Sequence, residues 1–496
     1  MSDARFSRYT SDLPYQEPDL VPKKSRRGCL LYGCGCGCLG LILLLLFGGL
    51  AVYFYCIKGS PLTVSPETTV ITEPRKSDGK SVDYYQAIQK MTEPAIPADE
   101  NGFRSVLLGY GQAATEPQKF NEWLYPEMCK KLDIDPAAQP PFVLEPWIPA
   151  APKNWLAAVS PGLDTVQTAA AKRHYFIPLV RQNENDPVLL AEPIPVYVFH
   201  KNLSDALRQR AKLRFEANAP AEAWKDILTS IRLFRFVTIK TALFDLHGNR
   251  TPKEGGKENS SLLTPVEEIV QTFPRWKPEH LDQAVKDLES LPEWTDYRTT
   301  MKVLQFSILD GVSSADDIAG IIEKFNENPI PPEIKQLLQV IGFNWNETAK
   351  ALNGEIKRYE DELQAAAGDT EKLSALLRSI RFRMNEEEWL KIIQDGAFGT
   401  PITTAGRSQM AGTLAGHIVN TLVGEMIRLQ LTEESRCQIL RTALAVEKYR
   451  RQNNRFPDSP EQLGLPKIGK NDLQIRYQKT NSGCSLGNDF FRLEMK

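Results

Sequence analysis

Residues 203–234, LSDALRQRAKLRFEANAPAEAWKDILTSIRLF, decide the fold class of this chain. On either side of Asn218-Ala219-Pro220, apolar side chains recur every three or four residues, which is the spacing of one face of an α-helix. Proline suits the first turn of a helix, because its missing N–H would have no partner there. The stretch therefore predicts two helices joined by a short turn, a helical hairpin.

Helical periodicity continues on both sides of this hairpin. Upstream, Tyr84, Ala87, Ile88 and Met91 form one apolar stripe. Downstream, two separate helices are predicted over 406–430 and 433–452. Gly412 and Gly416 in the first of them would allow close helix packing. We therefore expect a mainly α fold, with an irregular multi-helix domain over residues 81–432.

The end of the chain changes character. After the predicted helix come two β-like runs, LQIRY at 473–477 and FFRLE at 490–494. Thr480-Asn481-Ser482-Gly483 between them is a turn signal. Residues 433–496 therefore predict a small unit of one helix and one β-hairpin.

One stretch near the N-terminus is typical of a membrane anchor. No charged side chain occurs between Arg27 and Lys58, and residues 39–57 read LGLILLLLFGGLAVYFYCI. About 20 such residues cross the hydrocarbon core as a helix. The run is too long for a cleavable signal peptide, and bulky aromatic residues stand where a cleavage site needs small ones. We expect residues 28–57 to be an uncleaved transmembrane signal anchor, with the lipid bilayer as their partner.

Basic residues give the anchor an orientation. Lys23, Lys24, Arg26 and Arg27 precede the apolar run, whereas Lys58 alone follows it closely. The positive-inside rule then places the tail, residues 1–27, in the cytoplasm and the remainder outside. The first outer residues, 58–80, are rich in Ser, Thr and Pro and predict an extended stalk.

The cysteines divide into two groups. Five of the eight lie in the uncharged run, namely Cys29, Cys34, Cys36, Cys38 and Cys56. The three at 34, 36 and 38 could be small membrane residues, acylation sites or close-packing positions. Cys129, Cys437 and Cys484 lie in the outer part.

Cys437 and Cys484 share the terminal unit, and an oxidising compartment permits a disulfide between them. Three unpaired buried thiols are the alternative.

Other chemical signals are weak. Gly109–Ala114 fits a GxGxxA dinucleotide loop, but Pro117 follows too soon for the helix that such a loop needs. The histidines are scattered, and Glu386-Glu387-Glu388 fit the opening of a helix. The net charge of −2 gives no basic footprint for nucleic acid. We therefore assign no catalytic, cofactor-binding or metal-binding residue.

Two resemblances concern parts of this layout. Residues 440–464, LRTALAVEKYRRQNNRFPDSPEQLG, resemble the segment that follows the long helix of type II secretion pseudopilins. That match is carried by Ala443, Leu444, Tyr449, Asn453, Arg455, Phe456 and Pro457. The hairpin also resembles a single tetratricopeptide-like unit, without a second copy.

The whole layout resembles a group of uncharacterised bacterial membrane-anchored proteins. These combine one N-terminal span, a helical middle and the same C-terminal tail. The match in the middle is carried by Leu207, Arg210, Ala211, Leu213, Arg214, Ala223, Trp224, Asp226 and Ile227. The resemblance implies a bacterial envelope protein and no particular activity.

These observations favour a membrane-anchored envelope protein whose helical outer domain binds other envelope proteins. Two alternatives stay open at this point. One is an extracytoplasmic hydrolase whose site is assembled from distant residues. The other is a component associated with a pseudopilus or secretion system.

Overall fold

The longest element is a single helix of 50 residues, Thr404–Asn453. At a rise of about 1.5 Å per residue it is roughly 75 Å long. The predicted break between 406–430 and 433–452 is wrong. Neither Gly nor Pro occurs between Met426 and Asn453, so no residue there interrupts the helical hydrogen bonds.

The computed structural model describes residues 59–115, 118–145, 151–181, 188, 194–244, 264–294, 296–313, 343–367, 369, 372–377, 404–463, 475–480, 483–488 and 491–495. They belong to one compact unit, residues 56–496. In chain order its α-helices are α1 Pro66–Thr69, α2 Tyr84–Thr92, α3 Gly102–Tyr110, α4 Gln118–Lys131, α5 Pro152–Ala170, α6 Ile194–Glu216, α7 Pro220–Phe244, α8 Val266–Thr272, α9 Pro278–Glu289, α10 Tyr297–Ser313, α11 Trp345–Ala366 and α12 Thr404–Asn453. Short 3-10 helices cover Ala98–Glu100, Gly111–Thr115, Phe273–Arg275 and Pro460–Leu463. The predicted mainly α character is confirmed.

Helices α6 and α7 form the predicted hairpin. The turn between them places Asn218 at φ 58°, a left-handed conformation that asparagine tolerates better than most residues. The Ala219 N–H donates to the Arg214 carbonyl at 2.8 Å and closes the end of α6. The hairpin buries its apolar stripes, including Leu207, Ala211 and Trp224.

Apolar side chains form three clusters. Cluster one packs α3, α4 and α5 against the N-terminal half of α6. Cluster two packs α2, α10 and α11 against residues 419–431 of α12. Cluster three packs the turn end of the hairpin, α8 and α9 against residues 437–446 of α12. Helix α12 therefore contributes to two of the three cores.

Two glycines let α12 approach α11 closely, as their spacing predicts. A Cβ atom on Gly412 would lie 2.1 Å from the Thr348 carbonyl oxygen, and one on Gly416 would lie 2.5 Å from the Cβ of Glu355. Both distances are far below van der Waals contact. The close approach of these helices depends on the missing side chains.

The C-terminal sheet has three antiparallel strands, β1 Arg476–Thr480, β2 Gly483–Gly487 and β3 Arg492–Met495, in the order β1-β2-β3. Cys484 pairs with Lys479 on one side and Met495 on the other. The predicted two-stranded hairpin is therefore incomplete. Strand β2, with the sequence GCSLG, lacks the β-branched and aromatic residues that signal a strand.

The first described residues are packed instead of forming an isolated stalk. The Ser60 N–H donates to the Phe343 carbonyl at 2.9 Å, and the Trp345 N–H donates to the Ser60 carbonyl at 3.1 Å. Further along, the Asn353 side-chain amide donates to the Thr68 carbonyl at 3.1 Å. Composition rich in Ser, Thr and Pro predicts extension, but the backbone groups find partners on α11 and just before it.

Among the described residues, no helix combines the length and the apolar character that crossing a bilayer requires. The predicted anchor, residues 28–57, and the tail, residues 1–27, lie outside the described part of the chain. The boundaries at 80 and 432 stay predictions, although α12 runs through the second one without interruption.

Candidate functional site

A buried group of charges joins α5, α6 and α7. We call it the hairpin cluster and define it as Asp164, Gln167, Arg210, Arg214 and Asp226. The side chains of Arg210 and Asp226 are both 0% exposed. The Arg210 Nε donates to the two Asp226 oxygens at 3.0 and 3.1 Å, and Nη2 donates to Oδ1 at 2.6 Å. The remaining terminal nitrogen of Arg210 donates to the Ser160 carbonyl at 3.0 Å and to Asp164 at 2.7 Å.

Asp226 receives further donors from two elements. Arg214 Nη1 donates to Oδ2 at 2.9 Å, and Gln167 Nε2 donates to Oδ1 at 2.5 Å. Burial raises the pKa of the Asp226 carboxyl, and the hydrogen bonds and charges of Arg210 and Arg214 oppose that rise. Because the donors to this carboxylate come from α5 and α6, its hydrogen bonds fix both helices relative to α7.

A second buried group lies where α12 meets the chain just before α8. We call it the Glu433 cluster and define it as Arg208, Thr264, Glu433 and Cys437. Glu433 is 0% exposed. It accepts the Thr264 N–H at 2.8 Å, the Thr264 hydroxyl and, at 3.6 Å, the Cys437 thiol. The carboxylate thereby fastens residue 264 to α12.

Burial dominates the electrostatics of the Glu433 cluster. It raises the pKa of Glu433, while the bonds from Thr264 and the charges of Arg208 and Arg235 oppose the rise. Burial also lowers the pKa of Arg208, with the Glu433 charge opposing. The next residue along α12, Glu434, accepts a hydrogen bond from Arg235 Nη2 at 3.0 Å.

A neutral imidazole occupies cluster one. His200 Nδ1 lies 2.6 Å from the Val196 carbonyl oxygen, and Nε2 lies 2.6 Å from the Tyr175 hydroxyl. Since a carbonyl only accepts, Nδ1 carries the proton and Nε2 accepts from Tyr175. The rings of Phe103 and Phe199 lie 5.6 and 6.2 Å away. Burial lowers the pKa of His200 to about 4.

The predicted cysteine pair falls in cluster three. Cys437 and Cys484 are both buried there, on α12 and β2, and both are free thiols in the structure, as is Cys129. Burial raises the pKa of the Cys437 thiol well above its ordinary value and that of Cys484 to about 11. The two residues are thus brought into one core without a bond between them, and the disulfide stays a prediction.

The remaining sequence signals either belong to ordinary helix structure or lie outside the described residues. Residues 109 and 110 end α3, and Gly111, at φ 57°, follows as the helix C-cap. The GxGxxA pattern is therefore a helix end, not a loop after a strand. His174 and His280 lie far apart along the described chain, whereas Cys34, Cys36, Cys38, His247 and Glu386-Glu387-Glu388 lie outside the described residues.

Over the described ranges, no group of three His, Cys, Asp or Glu side chains is arranged to hold a metal ion. The described clusters direct their polar atoms at one another and at backbone groups. Their arrangement holds helices together.

Sequence reasoning missed Glu433 and His200. Glu433 lies on the same face of α12 as the apolar residues Met426, Cys437 and Leu440, which are seven, four and seven positions away, and this placement was a usable signal of burial. The hairpin cluster was half visible, since Arg210 and Asp226 carry the resemblance of the helical middle. Their pairing depends on how α6 and α7 face each other.

Comparisons with known proteins returned no matching family model, no similar curated protein and no similar solved structure. The resemblances of residues 440–464 and of the helical middle stay predictions.

Proposed function

We propose that this protein is a single-span envelope protein, anchored by residues 28–57, whose helical outer domain binds other proteins. The observation that carries the proposal is the junction between the two parts. An uncharged run ends at Ile57, and at Ser60 the chain is already hydrogen-bonded into the helical unit. A basic tail on one side and a folded domain on the other is the arrangement of a signal anchor.

The architecture of the outer domain supports the binding part of the proposal. Helix α12 contributes to two cores, and the hairpin cluster fixes α6 and α7 against α5. The result is a helical scaffold held together by apolar packing and buried charge pairs. Helical hairpins of this kind present helix surfaces to protein partners in repeat proteins. The hairpin exposes Lys212, Glu222 and Lys225 around its turn, and we assign the partner-binding surface to this end.

Photo-crosslinking in cells tests the binding surface. A photoreactive residue replaces Lys212 or Lys225 in the full chain, and Lys357, exposed on α11, serves as the control position. We expect the same partner protein, identified by mass spectrometry, from both hairpin positions and not from the control. No adduct from either hairpin position, or equal adducts from all three, would contradict the proposal.

Extraction tests the anchor separately. The full chain should stay with the membrane pellet in alkaline carbonate, because a spanning helix is not released by high pH. Release into the supernatant would overturn the anchor whatever the crosslinking shows.

A further inference from the structure

The start of the described chain is held at a defined place on the domain. Ser60 forms a parallel bridge with Asn344, with one hydrogen bond to each neighbour of that residue. The Asn346 side chain reinforces the bridge: its Oδ1 accepts the Thr63 N–H at 2.7 Å, and its Nδ2 donates to the Pro61 carbonyl at 3.1 Å. The path of residues 60–63 is therefore fixed against the start of α11.

The short segment before Ser60 limits how far the domain can lie from the end of the predicted anchor. Ile57, the last residue of the uncharged run, is three residues upstream. A fully extended chain covers about 3.5 Å per residue, so these two residues are at most roughly 11 Å apart. The headgroup regions of the two leaflets together add about 10–15 Å to the hydrocarbon core, so one of them is roughly 5–8 Å thick and Ser60 lies at most a few ångströms beyond it.

Two aromatic side chains lie beside the bridge between Ser60 and Asn344. Phe343 and Trp345 flank the residue that bridges Ser60, and their rings stack at 5.3 Å between centroids and 22° between planes. Both are partly exposed. Aromatic rings, tryptophan above all, favour the boundary between lipid headgroups and acyl chains because they offer an apolar body and a polar N–H.

We propose that Phe343 and Trp345 lie in the interfacial layer of the bilayer that residues 28–57 cross, so that the domain docks directly on the membrane surface. The inference rests on the anchor in the proposed function. The occupant of this aromatic surface is the lipid interface, because the short connection from Ile57 to Ser60 keeps the surface within reach of it.

Fluorescence quenching tests the docking. The full chain is reconstituted into phosphatidylcholine vesicles with or without lipids brominated near the headgroup end of their acyl chains. Bromine quenches nearby indoles, so wild type should lose more emission than Trp345→Phe, which keeps a ring for the stack. Trp294→Phe is the matched control, since Trp294 is also partly buried but packs on Arg235 in another part of the domain.

The possible results distinguish a failure of the docking from a failure of the anchor. Equal quenching of wild type and Trp345→Phe, in protein that alkaline carbonate does not release, would overturn the docking and leave the anchor intact. Release by carbonate would overturn both. If Trp345→Phe fails to fold, Phe343→Trp gives the answer, because a second interfacial indole should increase the quenched emission; no increase would contradict the inference.

Discussion

Helix α6 carries two basic side chains that are almost fully buried, His200 and Arg210. They lie ten residues apart and differ in charge. An arginine stays protonated in a protein interior, and Asp226 and Asp164 provide the counter-charges for Arg210 at 2.6 and 2.7 Å. His200 gives up its charge, since aromatic rings and one hydroxyl surround it and its pKa falls to about 4. The comparison shows two ways to bury a basic side chain: an arginine, which stays protonated, needs acidic partners, whereas a histidine can become neutral among apolar and hydroxyl neighbours. The two regions should therefore respond differently to mutation and to pH.

The largest effect is expected from removing the counter-charge. Asp226→Asn removes the fully buried anion of Arg210 and leaves only the half-exposed Asp164 beside it, so it should destabilise the fold by about 3–5 kcal/mol. Urea denaturation of the full chain in detergent, followed by circular dichroism, measures it. Asp164→Asn is the matched control, because its side chain is 58% exposed, and should cost at most about 1 kcal/mol.

A double variant separates the effect of charge pairing on stability from the effect of side-chain packing. Replacing both partners, Arg210→Met with Asp226→Leu, removes the two buried charges together. This double variant should be more stable than Asp226→Asn alone, since the fully buried charge of Arg210 is removed together with its counter-charge, and the partly exposed Arg214 keeps Asp164 at 3.8 Å. Equal losses in the two proteins would show that packing, and not charge pairing, dominates this region.

The next effect concerns pH and comes from the other region. The folded-state pKa of His200 lies below its ordinary value of 6.5, so its contribution is fully present above pH 6.5 and is lost as pH falls to about 4. The loss is at most roughly 3 kcal/mol at the acid end. His200→Gln should lack this loss, so the difference in unfolding free energy between variant and wild type should shift in favour of the variant over that window.

The difference measurement is needed because other groups titrate too. Burial raises the pKa of Asp226 and of Glu433, and such carboxyls add stability as pH falls. Both are present in wild type and in His200→Gln, so their contribution cancels. A difference that stays constant from pH 7 to pH 4 would refute the neutral, buried state of His200.

Glu433 is a case between the charge-paired Asp226 and the neutral His200. Glu433 is buried like Asp226, but Thr264 and Cys437, which are neutral, donate hydrogen bonds to it. Glu433→Gln keeps an acceptor for the Thr264 N–H and should cost only about 1 kcal/mol. The same denaturation measurement applies. A loss as large as that of Asp226→Asn would mean that Arg208 and Arg235 depend on the Glu433 charge.

The smallest effect is on reactivity and leaves stability unchanged. Burial and raised pKa values should make Cys437 and Cys484 react with iodoacetamide far more slowly in the folded protein than in urea. Mass mapping without reductant also examines the predicted disulfide. Recovery of both residues as alkylated thiols would exclude the bond, and a 437–484 linked peptide would establish it.

The sequence predicts local structure well where the signal is periodic, as in α2 and in the hairpin of α6 and α7. It fails where the outcome depends on neighbours. Glu433 looks like a break in an apolar stripe until Thr264 packs on it, and the β2 residues 483–487 form a strand only because β1 and β3 flank them. The charges of the hairpin cluster were visible in the sequence, but their pairing requires the packing of three helices.

The most direct test of the account is the topology of the full chain in intact cells. Protease is added to spheroplasts that carry an epitope tag before residue 1 and another after residue 496. The anchor in its proposed orientation predicts loss of the C-terminal tag and survival of the N-terminal tag until the membrane is opened. Survival of the C-terminal tag in sealed spheroplasts, with digestion only after lysis, would contradict the account.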